Sequence, residues 1–247
     1  MTDAARAVHA EWVKFSSLPS NRITVAVTFA TIVALAAMLL TAQDGDGAVP
    51  VPTPTELLSG VSWAQFVVAV LAVVAICSEW ASGTSKVTFL AVPTRWPVLA
   101  GKVTVVGVVG LLAGAAGGAA AFALASTMGI DLDSEPTLTI RLITGAGLYL
   151  GTIAVLALGI GAIVRDLAGS ILAVVGFLWV APFVIPMIPV PEVRELAQYL
   201  PVSAGVLLLA PDDAATTLTP WGGYAVLAAW TAAALAGAVI ALRARDV

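Results

Sequence analysis

The sequence predicts an all-α membrane protein with six transmembrane helices, an N-terminal amphipathic helix at the membrane surface, and a re-entrant or interfacial helical hairpin before the last span. The prediction depends on composition, on long charge-free segments and on the placement of basic residues. Of the 247 residues, 60% are hydrophobic and 11% are charged, whereas a soluble domain is about half apolar and about a quarter charged. A soluble fold of this length could not bury so much apolar surface, so we expect a single transmembrane domain, 1–247.

Six segments of the chain contain no charged residue and are long enough to cross a bilayer. A helix rises about 1.5 Å per residue, so about 20 residues span the roughly 30 Å hydrocarbon layer. The segments are too continuous for the strands of a barrel, which alternate apolar and polar residues over about ten positions. The six predicted spans are 23–42, 57–78, 103–130, 142–164, 167–190 and 221–242.

The basic residues of the loops predict the orientation. Alternating the loops places nine lysines and arginines on one side and only Arg141 and Arg194 on the other. By the positive-inside rule both termini are cytoplasmic, as in a multi-pass protein of a bacterial plasma membrane. The acidic loops then face outward, and the acidic pI of 4.8 does not indicate a nucleic-acid partner. The nine inner residues are Arg6, Lys14, Arg22, Lys86, Arg95, Lys102, Arg165, Arg243 and Arg245.

The segment before the first span, 1–20, has an amphipathic pattern. Val8, Trp12 and Phe15 recur at helical spacing, with charged residues between them, and Pro19 follows. This pattern predicts a helix that lies on the inner membrane surface. A disordered basic tail is the alternative.

Two connections are long enough to have roles of their own. The cytoplasmic loop 79–102 is polar and contains several basic residues, so it is either the main surface that a soluble partner contacts or a solvated linker. The outer segment 189–220 contains an apolar stretch, 196–210, that is shorter than a span, which favours a re-entrant or interfacial hairpin.

Glycines repeat at four-residue spacing in the third predicted span, at Gly110, Gly114 and Gly118. Small residues at this spacing let two helices approach closely, so they predict a packing seam. A substrate groove along the same stripe is the alternative.

Several kinds of chemistry have no residues to support them. No Asp, Glu, His, Lys or Arg lies near the middle of a predicted span, which disfavours transport coupled to protons or sodium. No zinc-protease or serine-hydrolase motif is present, and the glycine-rich run 107–118 lacks the Gly-Lys-Ser/Thr of a phosphate-binding loop. We therefore expect no catalytic residue, metal site or cofactor in this chain, and any active transport needs ATP hydrolysis by a separate subunit.

Three stretches, in this order along a six-span topology, resemble type 2 ABC transporter permeases, a family common in actinobacteria and other bacteria. They are EWxK at 11–14, EWxSGT at 79–84 followed by PTR at 93–95 and by Lys102, and RxRDV at 243–247. The resemblance covers nearly the whole chain. Trp96 and Pro97 depart from the family pattern, which often has further basic residues there.

The resemblance implies a complex of two permease subunits, identical or homologous, with two cytoplasmic ABC ATPase subunits that bind ATP and Mg. It implies export of a hydrophobic or amphiphilic compound; a non-transporting membrane scaffold or regulatory subunit that recruits a cytoplasmic partner is the alternative. By position, the interfacial elbow helix would contain Glu11, Trp12 and Lys14. The element that couples to the ATPases would contain Glu79, Gly83, Thr84 and Lys86, of which we expect Glu79 to matter most.

Overall fold

The structure is a computed structural model that describes residues 3–42, 51–81, 96–130, 132, 135–211 and 217–244. Helices make up 89% of these residues and no strand occurs among them, which confirms the all-α fold class. Side chains at a few helix ends, that of Glu79 included, lie outside the described part.

Eleven α-helices and three short helical turns follow one another along the described residues. The first six are α1 Asp3–Ser17, α2 Pro19–Thr41, α3 Pro54–Leu57, α4 Ser59–Ala81, α5 Trp96–Thr127 and α6 Pro136–Val164. The next segment consists of α7 Leu167–Val175, a π-helical turn Gly176–Val180, α8 Ala181–Val184 and a 3₁₀ turn Ile185–Met187. The chain then forms α9 Pro191–Ala197, α10 Pro201–Gly205, a 3₁₀ turn Val206–Leu209 and α11 Pro220–Ala244.

Six of these helical segments are long and apolar enough to cross a membrane, as predicted: α2, α3 with α4, α5, α6, the segment Leu167–Met187, and α11. The chain is therefore a multi-pass membrane protein. Several helices start earlier than the charge-free segments, because a helix continues past the hydrocarbon into the polar interface. The clearest case is α5, which begins at Trp96 and contains Lys102, so residues 96–102 are helical and the connection to α4 is 82–95.

Contacts between the helices fix their directions. α5 runs antiparallel to α6, because Gly107 lies near Val155 whereas Gly118 lies near Ile143. α4 and α11 run parallel to α6, and α7 runs back along α4. Residues 3 and 244 therefore lie at the same end of the bundle. We call it the inner end, because the basic residues predict that it faces the cytoplasm.

The fourth span, α6, is the centre of the bundle. It contacts α4, α5, α7 and α11. In its most apolar stretch of 18 residues 67% of the residues are buried, against 17% in the corresponding stretch of the segment Leu167–Met187. Small and aliphatic residues occur on every face of α6, so it can pack on all sides. The first, fifth and sixth spans instead expose apolar side chains toward the surroundings.

The outer segment folds back against the bundle between α6 and α11. Ala204 and Leu208 are fully buried there, and the indole nitrogen of Trp230 donates a hydrogen bond to the carbonyl of Tyr199 over 2.8 Å. Trp230 lies ten residues into α11, about 15 Å along that helix. The turn between α9 and α10 therefore reaches well below the outer end of the sixth span.

The glycine stripe of α5 faces α6. A Cβ atom at Gly114 would lie 2.5 Å from the carbonyl oxygen of Ala146, and one at Gly110 would lie 3.0 Å from the Cα of Gly151. At Gly118 the nearest atom would be 3.5 Å away, which is ordinary contact. Two of the three predicted glycines thus lie where only a missing side chain lets the two backbones approach.

Candidate functional site

Helix α1 packs against α5 near the inner end of the bundle, and the chain then turns into the first span. Leu18 is extended (φ −90°, ψ 116°) and Pro19 starts α2, as expected for a residue before proline. The side-chain amide of Asn21 donates to the carbonyl of Phe15 over 3.0 Å, and Nε of Arg22 donates to the carbonyl of Ser16 over 2.9 Å. These bonds satisfy the last carbonyls of α1 and fix the angle of the elbow.

A buried ion pair attaches α1 to the third span. Nζ of Lys102 lies 2.7 Å from Oε2 of Glu11, and their side chains are 7% and 6% exposed. Nζ of Lys14 lies 2.9 Å from the other carboxylate oxygen, but its side chain is 44% exposed. Removing one partner of a buried pair is costly, because the remaining charge loses its compensation without regaining water. Glu11 is therefore an anchor of the elbow rather than a solvated residue.

Close packing supports the same contact. A Cβ atom at Gly101 would lie 3.1 Å from the carbonyl carbon of Ala7, so the backbones of α1 and α5 meet. Phe15, 9% exposed, packs in a cluster with Leu71, Val105 and Val109. The hydrophobic face of α1 thus contacts both the second and third spans.

A cavity of about 540 Å³ lies beside the ion pair, between the elbow, α4 and α5. Glu11, Lys14 and Lys102 line one part of it, and Val74 and Val105 belong to the apolar part. The cavity is therefore amphipathic, with its charged groups contributed by α1 and the start of α5.

A second polar junction joins three spans at the inner end. Arg165 follows α6 with φ 63°, the left-handed conformation, which is uncommon for a residue other than glycine. Its guanidinium lies 4.4 Å from the ring centroid of Trp80 in α4 and donates to the carbonyl of Ala241 in α11 over 2.7 Å. The carboxylate of Asp166 accepts from the amide of Gly169 over 2.6 Å and so caps α7.

One buried hydrogen bond inside the bundle was not predicted. The hydroxyl of Tyr149 donates to Oε1 of Gln65 over 2.6 Å, and the amide of Gln65 donates to the carbonyl of Ser62 over 2.8 Å. The only signal in the sequence was a lone glutamine in a charge-free segment, because neither residue of the pair is charged. The pair is neutral and links α4 to α6, so its chemistry is that of a structural hydrogen bond.

The structure brings together only part of the predicted functional set. Glu11, Trp12 and Lys14 share α1; Trp12 is half-exposed and its ring stacks at 6.3 Å from that of Phe15. Glu79 lies in α4, but its side chain is outside the described part. The rest of the predicted coupling element also lies outside the described residues: Gly83, Thr84 and Lys86.

The described residues show no group of three or more His, Cys, Asp and Glu that could hold a metal ion. A comparison with models of protein families gives no match, and a comparison with curated proteins gives none either. A functional assignment therefore depends on the contacts at the inner end of the multi-pass bundle.

Proposed function

We propose that this chain is the membrane-spanning permease subunit of an ATP-driven ABC transporter that exports a hydrophobic or amphiphilic compound. A separate cytoplasmic ATPase, in two copies, binds ATP and Mg and supplies the energy. The observation that carries the proposal is the buried Glu11–Lys102 pair, which makes a surface helix and the third span one mechanical unit.

This unit lies where a cytoplasmic partner would apply force to the bundle. The connection 82–95 joins the inner end of α4 to the start of α5, and Lys102 lies only two helical turns into α5. A partner that contacts α1 or 82–95 therefore acts on the inner ends of the second and third spans. The glycine contacts of α5 then transmit the displacement to α6.

The absence of mid-membrane ionisable residues in the sequence supports an external energy source. Coupling to protons or sodium uses ionisable or polar coordinating groups at that depth. The buried Gln65–Tyr149 pair is neutral and already hydrogen-bonded, so it does not provide such a group. The resemblance of the stretches 11–14, 79–84 and 243–247 to type 2 permeases agrees with an ATPase as motor.

A non-transporting scaffold or regulatory subunit is the second candidate. The observation in its favour is the dense packing of α6, whose large side chains such as Tyr149 and Leu150 are fully buried within one chain. Such a bundle can recruit a cytoplasmic partner through α1 and 82–95 without opening a path.

The test reconstitutes the full chain in proteoliposomes with each ABC ATPase whose gene neighbours its own and measures ATP hydrolysis with and without the permease. Glu11→Gln removes the buried charge and Glu79→Lys reverses the charge at the predicted coupling residue. Glu192→Gln, on exposed α9 at the other end of the bundle, is the matched control.

A permease should stimulate hydrolysis severalfold, and Glu192→Gln should leave that stimulation unchanged. Glu11→Gln and Glu79→Lys should each reduce it while the complex still assembles and reaches the membrane. A stable complex without any stimulation would favour the scaffold, and the absence of a complex would refute both.

A further inference from the structure

A groove on the outside of the bundle, next to the elbow, is distinct from the cavity beside the ion pair. It has a volume of about 580 Å³ and lies between α2 and α5, with α1 across its inner end. Val25, Ala26 and Phe29 form its α2 side, and Leu112 and Ala116 belong to its α5 side. Its walls are almost entirely apolar.

The inner end of the groove is polar. Arg22 is the one charged residue among those that line it, and Trp12 lies beside it with half of its surface exposed. Nε of Arg22 is bonded to the carbonyl of Ser16, and among the described residues no carboxylate pairs with its guanidinium. A tryptophan and an arginine at this level are typical of the membrane–water interface.

The depth of the groove matches one leaflet. From Arg22 to Phe29 the α2 helix rises about 10 Å, most of the roughly 15 Å that one leaflet contributes to the hydrocarbon layer. Two residues that line the groove, Phe29 on α2 and Leu112 on α5, are 38% and 59% exposed. The groove therefore opens toward the acyl chains, with its cation at headgroup level.

We propose that this groove binds one anionic phospholipid of the leaflet next to α1, with an acyl chain along Phe29 and Leu112 and the phosphate on Arg22. The apolar walls suit a hydrocarbon chain, whereas the arginine selects charge. A basic side chain near the surface contributes about 1 kcal/mol toward an anionic lipid, which corresponds to about fivefold in affinity. The site holds the elbow from the lipid side, whether or not the chain transports anything.

The experiment measures lipid retention by native mass spectrometry on the full-length chain released from nanodiscs. The nanodiscs contain equal amounts of phosphatidylglycerol and phosphatidylcholine with the same acyl chains. Ala26→Trp fills the groove, and Arg22→Gln removes its charge. Ala34→Trp, at an exposed alanine two turns further along α2, is the control for adding a tryptophan to that helix.

The wild-type chain and Ala34→Trp should each retain one lipid, with about a fivefold preference for phosphatidylglycerol. Arg22→Gln should keep a lipid but lose the preference, and Ala26→Trp should lose the lipid while unfolding at the same temperature as Ala34→Trp. Retention that is equal for the two lipids in the wild-type chain would overturn the proposal. A wild-type dimer that dissociates in the Ala26→Trp variant would also overturn it, because the groove would then hold a second copy of the chain.

Discussion

Disruption of the Glu11–Lys102 pair tests whether α1 is structurally part of the bundle. Both side chains are less than a tenth exposed and their charged atoms are 2.7 Å apart. Leaving one buried charge without its partner costs about 3–5 kcal/mol. We expect Glu11→Gln to lower the free energy of unfolding by about 3 kcal/mol. Lys102→Met should cost less, about 2 kcal/mol, because Glu11 still pairs with Lys14 at 2.9 Å.

The double variant measures the interaction energy between the two side chains. If the two side chains interact, Glu11→Gln with Lys102→Met should cost no more than about 3 kcal/mol, about 2 kcal/mol less than the sum of the single changes. Lys14→Met is the control: its pair with Glu11 spans three residues of one helix and is half-exposed, so its loss should cost about 0.5 kcal/mol or less.

The measurement is reversible unfolding by sodium dodecyl sulfate in mixed micelles, followed by circular dichroism. Additive costs for Glu11→Gln and Lys102→Met would contradict the pairing. If Lys14→Met cost as much as Lys102→Met, burial would not determine the strength of these ion pairs, and the reasoning would be refuted.

Three further predictions use the same unfolding assay. Gly114→Ala should destabilise the fold by about 1–3 kcal/mol, because its Cβ would overlap a backbone carbonyl of α6, whereas Gly118→Ala should change it by less than about 0.5 kcal/mol; equal costs would contradict the seam. Tyr149→Phe should cost about 0.6–1.7 kcal/mol by removing a buried interhelical hydrogen bond, and the exposed Tyr199→Phe should cost almost nothing; the reverse order would contradict the assignment. Arg165→Gly should be about 1 kcal/mol more stable than Arg165→Ala, since both lose the guanidinium but only glycine accepts φ 63° without strain; a more stable alanine variant would refute this.

The spans could be predicted from sequence because the bilayer imposes one strong local rule. A segment in hydrocarbon must be apolar and about 20 residues long, and this rule does not depend on which helices are neighbours. The rule locates the part of a helix that lies in hydrocarbon, but it does not locate the ends of the helix. α5 therefore begins at Trp96, although the predicted span begins at Val103. Lys102 was assigned to a loop for that reason.

The candidate site could not be predicted in the same way, because its central contact joins residues 91 positions apart. Glu11 lies three residues after Val8 and four before Phe15, so helical spacing places it on the apolar face of α1 but does not show which residue it pairs with. Its burial depends on Lys102 in another helix, which no local pattern contains. The Gln65–Tyr149 bond is similar: each residue alone is an ordinary polar residue in an apolar span.

The contacts at the inner end determine which helices can move together. α1 is attached to α5 by a buried charge pair, and further along α5 its backbone packs directly on that of α6 at Gly110 and Gly114. We therefore expect a force applied to α1 to displace α5 and α6 as one body, because separating them breaks close packing while moving them together does not. The fifth span has few buried residues and a π-helical turn at Gly176–Val180. If the chain is a permease, its path should open where this span meets the α5–α6 unit, since little packing resists displacement there.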